Sequence, residues 1–424
     1  GPWDKLILQS FDDIGFSFKT KATAGGGIAV VNDVRGGVTA EILDVDVTAG
    51  TGITVTAKER AVIQATDISL IIAEGGSGSS AYNGIIATNL VLSGAHATID
   101  SADLVATSGD VVVGASNTSF ITAVITSETK ATSAGVGVTL AFNTIGWDSQ
   151  NILFNFADAL LGLDIGTQKP AETITLVTGS TISAGGGIAI TAVNHATINA
   201  HIATSAATFD KGFTGSATAV TVDAVVAMNK VSTKTQAILE DAPAVVLLSI
   251  PAPSVEAMGG DLVVTATDSA VITSFVEAPV TAVSLAFKDG TSVGVAVSIS
   301  RNDVRVATDA EITEVPWAKA SGNILVSASD AMQIDATSTA SAITVAISLK
   351  GSLAFSGGGA TAVNRILGHT NATVTSSKLE AGGTLGITTA ITAGIDALVT
   401  ALAVAIGGGL SGTTKLGVVE RYDP

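Results

Sequence analysis

Carboxylates that could act together with other charges occur at two places in the sequence. Asp303 lies between Arg301 and Arg305, and Asp44 lies two residues before Asp46. Polysaccharide lyases and hydrolases need clustered carboxylates, often with a basic residue, in a cleft. Because alternate residues of a strand share a face, Asp44 and Asp46 would point the same way and could hold a cation or a sugar. The spacing of this pair does not recur along the chain, so we interpret both groups as solvated surface charges.

Histidine is the residue type that could bind a transition metal here, because the chain has no cysteine. His195 and His201 are six residues apart, which places them on the same side of an unbroken strand. The neighbouring sequence lacks the Asp or Glu ligand that would complete a zinc site. We therefore predict that these two residues, with His96 and His369, are surface histidines.

The sequence contains none of the common catalytic motifs. G-x-S-x-G, H-E-x-x-H and the lysine-terminated phosphate loop are all absent. The glycine runs 25–27 and 357–359 precede strand-like segments instead of helices, and we interpret them as turns. The sequence therefore predicts no catalytic, cofactor-binding or metal-binding residue, no bound cofactor and no enzymatic activity.

The elements that would position these side chains belong to a repeat. Asparagine ends an apolar, alternating run at six places, which are Asn32, Asn89, Asn143, Asn229, Asn302 and Asn364. The steps between them are 57, 54, 86, 73 and 62 residues, so the basic unit has 55–60 residues with insertions. We interpret the six asparagines as turn residues with structural roles, because asparagine tolerates turn conformations and satisfies backbone groups.

Within each unit the hydrophobic period is two. Val293, Val295 and Val297 alternate with small residues, which indicates a β-strand with one apolar face. The chain is 47% hydrophobic but only 4% aromatic, which argues against a sandwich or a propeller with aromatic anchors. A right-handed parallel β-helix, whose core is a narrow aliphatic column, explains both observations.

The prediction for the whole chain, residues 1–424, is one elongated all-β solenoid of about six repeat units. Each unit would hold two or three coils of roughly 20 residues, and some 20 coils would give a rod on the order of 90 Å. The pattern is already in progress where the chain starts and stops, so we expect a fragment of a longer array. Unpaired strand edges at the two ends would permit end-to-end self-association.

Two insertions interrupt the repeat, near residues 144–170 and 241–257. The first contains an apolar face at helical spacing and predicts a short helix near 148–162. The second contains Pro243, Pro251 and Pro253 and predicts an extended loop.

Composition also limits the partners. The chain has 37 acidic and 20 basic residues, and the net charge of −17 argues against nucleic-acid binding. The most apolar stretch, residues 391–406, is too short for a membrane span and contains Asp396.

The blocks GVAVSISRNDVRVATDAEI and GNILVSASDAMQIDATS resemble the repeats of giant bacterial surface proteins of the filamentous haemagglutinin and large adhesin type. The block IGWDSQNILFNFADALLG is similar to an insertion of such exoproteins. This resemblance implies a non-catalytic stalk or adhesin segment, at the cell surface or secreted, that contacts another cell, a glycan or the matrix. The alternative is a carbohydrate-active β-helix enzyme, either a polysaccharide lyase or a hydrolase.

Overall fold

The computed structural model describes residues 21–75, 78–148, 167–212, 215–247 and 250–409. These residues form strands β1 to β21, numbered in chain order, and no helix. The three large sheets are parallel, which confirms the predicted all-β parallel β-helix. Its right-handed winding stays a prediction. The helix predicted near 148–162 falls largely on residues 149–166, outside the described residues.

The first long sheet forms one wall of the solenoid. Its strands are β1 (Thr23–Leu43), β4 (Ser80–Asp100), β7 (Ala134–Ile145), β8 (Ala171–Thr178), β11 (Ala217–Glu240), β16 (Asp289–Thr313) and β19 (Gly351–Thr375). β7 and β8 share one layer, because both pair with β4 on one side and with β11 on the other.

The second long sheet faces the first, and a short sheet closes one margin between them. The second long sheet contains β3 (Ile53–Ala73), β6 (Val111–Ala131), β10 (Ile188–Gly212), β15 (Leu262–Ala286), β18 (Ile324–Ser348) and β21 (Leu385–Gly409). The short sheet contains β2 (Val47–Ala49), β5 (Asp103–Ala106), β9 (Thr181–Ala184), β14 (Val255–Ala257), β17 (Ala318–Ala320) and β20 (Leu379–Ala381). At the opposite margin, a turn leads from the second long sheet to the next coil.

One repeat unit makes one coil, so the prediction of two or three coils per unit is wrong. Strands of up to 25 residues use most of each unit, and the short sheet has six strands, one per coil. With about 4.8 Å between coils, six coils stack to about 25 Å, whereas a 25-residue strand spans about 80 Å. The described chain is therefore a wide, flat solenoid instead of a thin rod of 20 coils.

The corner from the first long sheet to the short sheet has the same backbone conformation in every coil. Its residue has a positive φ of 51–58° at Asp44, Ser101, Gly179, Asp241, Glu314 and Ser376. The backbone N–H of each corner residue except the last donates to a backbone carbonyl of the next coil along the chain. An example is the 2.9 Å bond from Asp44 N to Asp100 O. Asp44 and Asp46 thus lie in a corner, and the predicted shared strand face is wrong because the chain changes direction there.

The core is aliphatic, as the composition predicts. One apolar cluster fills the space between the three sheets near the short sheet, and includes Ile99, Leu104 and Val111. A second cluster lies further along the two long sheets and includes Ile85, Ile121 and Ile198. Each residue named here is inaccessible to solvent or nearly so, which supports burial as the main stabilising term.

The six repeated asparagines form a continuous ladder inside the solenoid. Each Nδ2 donates to the Oδ1 of the asparagine in the next coil, at 2.7–2.8 Å, over all five steps. They lie inside strands of the first long sheet, so their interpretation as turn residues is wrong. Stacked strands put identical side chains about 4.8 Å apart, a distance that lets primary amides bond to one another.

The part of β16 beyond this ladder reverses the usual orientation of apolar residues. Val293, Val295 and Val297 face outward, while Gly294 and Ala296 are buried between the two long sheets. Small inward residues let the sheets approach closely: a Cβ at position 294 would lie 2.7 Å from Thr344 Cγ2. The glycine runs 25–27 and 357–359 lie in the corresponding part of the coil, inside β1 and β19 instead of in turns, so that interpretation is also wrong.

Both insertions leave the first long sheet. Residues 146–148 and 167–169 run antiparallel where the first insertion departs and returns, with a bridge between Trp147 and Gln168. In the second, β12 (Val245–Leu247) and β13 (Ile250–Ala252) form a short antiparallel pair where the sequence predicts an extended loop. The final residues of that segment, Val255–Ala257, are the short-sheet strand of the repeat.

Candidate functional site

A cluster of charged residues lies on the outer face of the first long sheet, beside the asparagine ladder. The Asp303 side chain is almost inaccessible, so its interpretation as a solvated surface charge is wrong. Its Oδ2 lies 2.9 Å from Arg305 Nη2 and 3.9 Å from Arg301 Nη2. Arg365, in the next coil, also bonds to this oxygen. Burial alone would raise the pKa of Asp303, but hydrogen bonds and positive charge from Arg305 and Arg365 hold it below its usual value.

Trp147 attaches the first insertion to this cluster. Lys230 Nζ lies 4.6 Å from the centre of the indole ring and Arg305 Cζ lies 4.8 Å from it. Gln168, across the bridge from Trp147, donates from Nε2 to Ser232 Oγ at 2.8 Å. An adjoining cavity of about 40 Å³ has room for water but not for a sugar. These contacts attach the two ends of the insertion to the wall.

An open groove lies nearby, where β7 ends and β8 begins. It has a volume of about 470 Å³, within the range of small-molecule sites, and its lining includes Arg35, His96, Lys169 and Glu172. His96 Nε2 lies 3.6 Å from Glu172 Oε2. Gly94 forms part of the floor, where a Cβ would lie 3.2 Å from the Glu172 carbonyl oxygen. The groove can hold a polar ligand against charged side chains.

A second set of acids is buried inside the solenoid, between the two apolar clusters. Asp268 accepts hydrogen bonds at Oδ2 from Asn194 at 3.0 Å and from Thr235 at 2.6 Å, and Asp330 accepts one from Thr370 at 2.5 Å. Burial raises the pKa of Asp268 to about 7 and also raises that of Asp330. These carboxyls face the interior, so no substrate reaches them.

Asp223 is a further buried acid, in the half of the coil beyond the asparagine ladder. It accepts a hydrogen bond at Oδ1 from Thr204 at 2.9 Å, and burial raises its pKa to about 8. Gly137 makes room for it, because a Cβ there would lie 2.4 Å from Asp223 Oδ1. We infer that Asp223 is mostly a neutral carboxyl near pH 7, packed inside the wall.

The remaining predicted positions are dispersed. His195 and His201 both face outward from β10, and the ring of His201 meets Phe275 edge-on at 4.9 Å. Within the described ranges, no three His, Asp or Glu side chains are grouped as a metal site would need. The structure brings Asp303 together with Arg301 and Arg305, but it does not bring the Asp44 corner near them.

Sequence reasoning missed Lys230 and Arg365 in the outer cluster. Both occupy the same position in the repeat as Asp303, because each directly follows a repeated asparagine. Parallel pairing in register therefore stacks these three positions in one outward column.

Comparisons with protein-family models, with curated proteins and with solved structures found no match for the chain. In the part of the chain that the structure describes, no helix has the length and apolar character needed to cross a membrane.

Proposed function

We propose that the chain is a non-catalytic structural stalk or adhesin segment of a large exported bacterial surface protein, at the cell surface or secreted. It spaces or mediates contact with another cell, a glycan or the matrix. The observation that carries this proposal is the uninterrupted register of six coils, joined by the asparagine ladder through the middle of the wall. In such a wall each coil contacts only its neighbours, so in-register stacking extends one structure from coil to coil.

The acidic residues favour a structural role over a catalytic one. Asp303 is held by arginines, and its depressed pKa makes it a poor proton donor. Asp223 and Asp268 have raised pKa values but lie inside the wall. The charges of the wall therefore stabilise the fold and fix its insertions.

The groove supports the second candidate, a carbohydrate-active enzyme. Its volume suits a monosaccharide unit, and Glu172 beside His96 could transfer a proton. Hydrolysis normally needs two carboxylates on opposite sides of the bond, and Glu172 is the one carboxylate among the described lining residues.

A turnover assay separates the two candidates. The purified chain is incubated with a panel of neutral and acidic polysaccharides, and reducing ends and unsaturated sugars are measured. We expect no product above that of Glu172→Gln. Product formation that this variant abolishes would overturn the non-catalytic proposal.

An adhesion assay tests the positive half of the proposal. Beads coated with the chain are expected to bind cells, immobilised glycans or matrix more than beads coated with denatured chain do. Equal binding by both kinds of bead would contradict an adhesive role. The chain would then act only as a spacer between other parts of the protein.

End-to-end association is the partner arrangement that the last coil supports. Its inward-facing Ile387, Ile391 and Ile395 are each about half exposed, because no described coil covers them. Light scattering against concentration is expected to show growth that Ile391→Asp reduces. A strict monomer at high concentration would contradict this arrangement.

A further inference from the structure

The margin of the solenoid opposite the short sheet carries exposed apolar side chains on both faces and at its tip. We call this margin the ridge and define it by Phe209, Phe287, Ile347, Leu349, Leu353 and Phe355. Phe209 and Ile347 face outward from the second long sheet, and Leu353 and Phe355 face outward from the first. Phe287 and Leu349 occupy the turns between the two sheets.

The ridge is strongly exposed. The solvent-accessible fractions are 52% for Phe287, 61% for Leu353 and 56% for Phe355. Strand register makes the patch continuous, because Phe355 pairs with Val293 and Ile347 pairs with Leu285, both also directed outward. Contiguous exposed apolar surface of this kind marks an interaction site.

Lysines accompany the apolar residues although the protein as a whole is acidic. Lys288 follows Phe287 at the tip, Lys350 follows Leu349 one coil further on, and the backbone N–H of Lys350 donates to the carbonyl of Lys288. Lys211 lies over the Phe209 ring, 4.8 Å from its centre. The acidic Asp289, the first residue of β16, directly follows Lys288.

The shape of the ridge favours a lipid surface over a folded protein as its partner. A protein partner would need a cleft to cover two opposed faces and the tip at once, whereas lipid covers a protruding edge from all sides. Exposed apolar side chains interspersed with lysines are typical of surfaces that bind peripherally to anionic membranes. We propose that the ridge inserts into the surface of an anionic lipid bilayer, as a site separate from the groove and the wall.

Vesicle co-flotation tests the proposal with the full chain. The vesicles contain either phosphatidylcholine alone or phosphatidylcholine and phosphatidylglycerol in equimolar mixture. We expect the wild-type chain to bind the anionic vesicles more tightly and to lose part of this binding in high salt. Phe287→Asp and Leu353→Asp are each expected to lower the partition coefficient about tenfold, because a charge replaces an anchoring apolar group.

Two further variants sharpen the test. Met258→Asp is the matched control, since Met258 is 49% exposed but lies near the short sheet, away from the ridge. It is expected to bind like the wild type. Lys288→Glu is expected to weaken binding to anionic vesicles and to leave any binding to neutral vesicles unchanged. Circular dichroism and thermal unfolding establish that each variant is folded.

Three results would overturn the proposal. The first is absence of wild-type binding to anionic vesicles. The second is equal loss of binding in Met258→Asp and Phe287→Asp. The third is a dimer in sedimentation analysis that Phe287→Asp dissociates while vesicle binding is absent, since the ridge would then be an interface between two copies of the chain.

Discussion

At the scale of single residues, the asparagine ladder contains the most constrained side chains of the wall. Asn229 is fully buried, accepts from Asn143, and donates to Asn302 at 2.8 Å and to Ser274 Oγ at 3.1 Å. Every polar atom of the amide group therefore has a partner. Leaving one polar atom of a buried amide unpaired costs more free energy than an average hydrogen bond contributes to stability.

Asn229→Ala is expected to lower the free energy of unfolding by about 2–3 kcal/mol, because it leaves buried amide groups of two neighbours unpaired. Asn32→Ala, at the partly exposed first step of the ladder, removes one bond to Asn89 and is expected to cost about 1 kcal/mol. Denaturant unfolding measures both values. Equal costs at the two positions would contradict a ladder whose inner steps are buried.

The corner residues provide a second prediction at this scale. Glu314 has φ of 54°, a conformation that places its Cβ close to backbone oxygen and is unfavourable for residues other than glycine. Glu314→Gly is therefore expected to raise the free energy of unfolding by about 0.5–1 kcal/mol, after the greater flexibility of unfolded glycine is included.

The equivalent corner of another coil supplies the reciprocal test. Gly179 has φ of 58°, so Gly179→Ala is expected to destabilise by about 1 kcal/mol. Thermal unfolding of both variants, followed by circular dichroism, measures the shifts. A destabilising Glu314→Gly would show that contacts of the glutamate side chain outweigh backbone strain.

At the scale of elements, the distance between the two long sheets is set by the size of inward residues. Near the short sheet the filling includes isoleucine, leucine and valine, whereas the inward residues of β16 beyond the ladder are alanine, serine and glycine. In that second region Val280, Ala296, Ala340 and Ala342 form a small apolar cluster. The wall therefore narrows towards the ridge, and larger apolar residues are directed outward.

Gly294→Ala tests this close approach. The new methyl group would lie 2.7 Å from Thr344 Cγ2 and 3.2 Å from Val280 Cγ1, so we expect a loss of about 1–3 kcal/mol in unfolding free energy. Gly84→Ala, in the same sheet but with no neighbour within 4 Å, is the matched control and is expected to be neutral or slightly stabilising. Denaturant unfolding of the two variants should differ clearly, and equal values would contradict a narrow interior.

At the scale of the whole molecule, buried acids determine how stability depends on pH. Asp223 and Asp268 have pKa values raised by burial to about 8 and about 7, against 3.8 in an exposed carboxyl. Between about pH 4 and pH 7–8, these two carboxyls keep their protons in the folded state, whereas in the unfolded chain they have released them. The contribution to the free energy of unfolding is therefore complete below about pH 4 and is lost as the pH rises through about 7–8.

The free energy of unfolding is thus expected to decrease from about pH 4 to pH 8, by an amount on the order of a few kcal/mol, and the thermal unfolding midpoint should decrease with it. Asp223→Asn combined with Asp268→Asn should flatten this dependence. Asp303→Asn is the contrasting variant, because the depressed pKa of Asp303 adds stability above the usual carboxyl range and loses it in acid. A wild-type midpoint that rises from pH 5 to pH 8 would contradict protonated interior acids.

The sequence by itself determined the repeat, its asparagine anchors and the strand period of two. It therefore predicted an all-β parallel solenoid, because these patterns depend on local spacing that needs no knowledge of distant contacts. It also placed Asp303 beside Arg301 and Arg305, since residues two positions apart on one strand share a face.

Only the tertiary structure decided which face is the interior, how long each coil is and which distant residues meet. A period of two marks two faces but does not say which one is buried, so Val293 and its neighbours could be assigned outward only after the opposite sheet was in place. Coil length depends on where the corners bend the chain, and no local pattern separates a 25-residue strand from several short ones. The pairing of Asp303 with Arg365 and the stacking of six asparagines follow from in-register contact between coils, which joins residues about 60 positions apart along the chain.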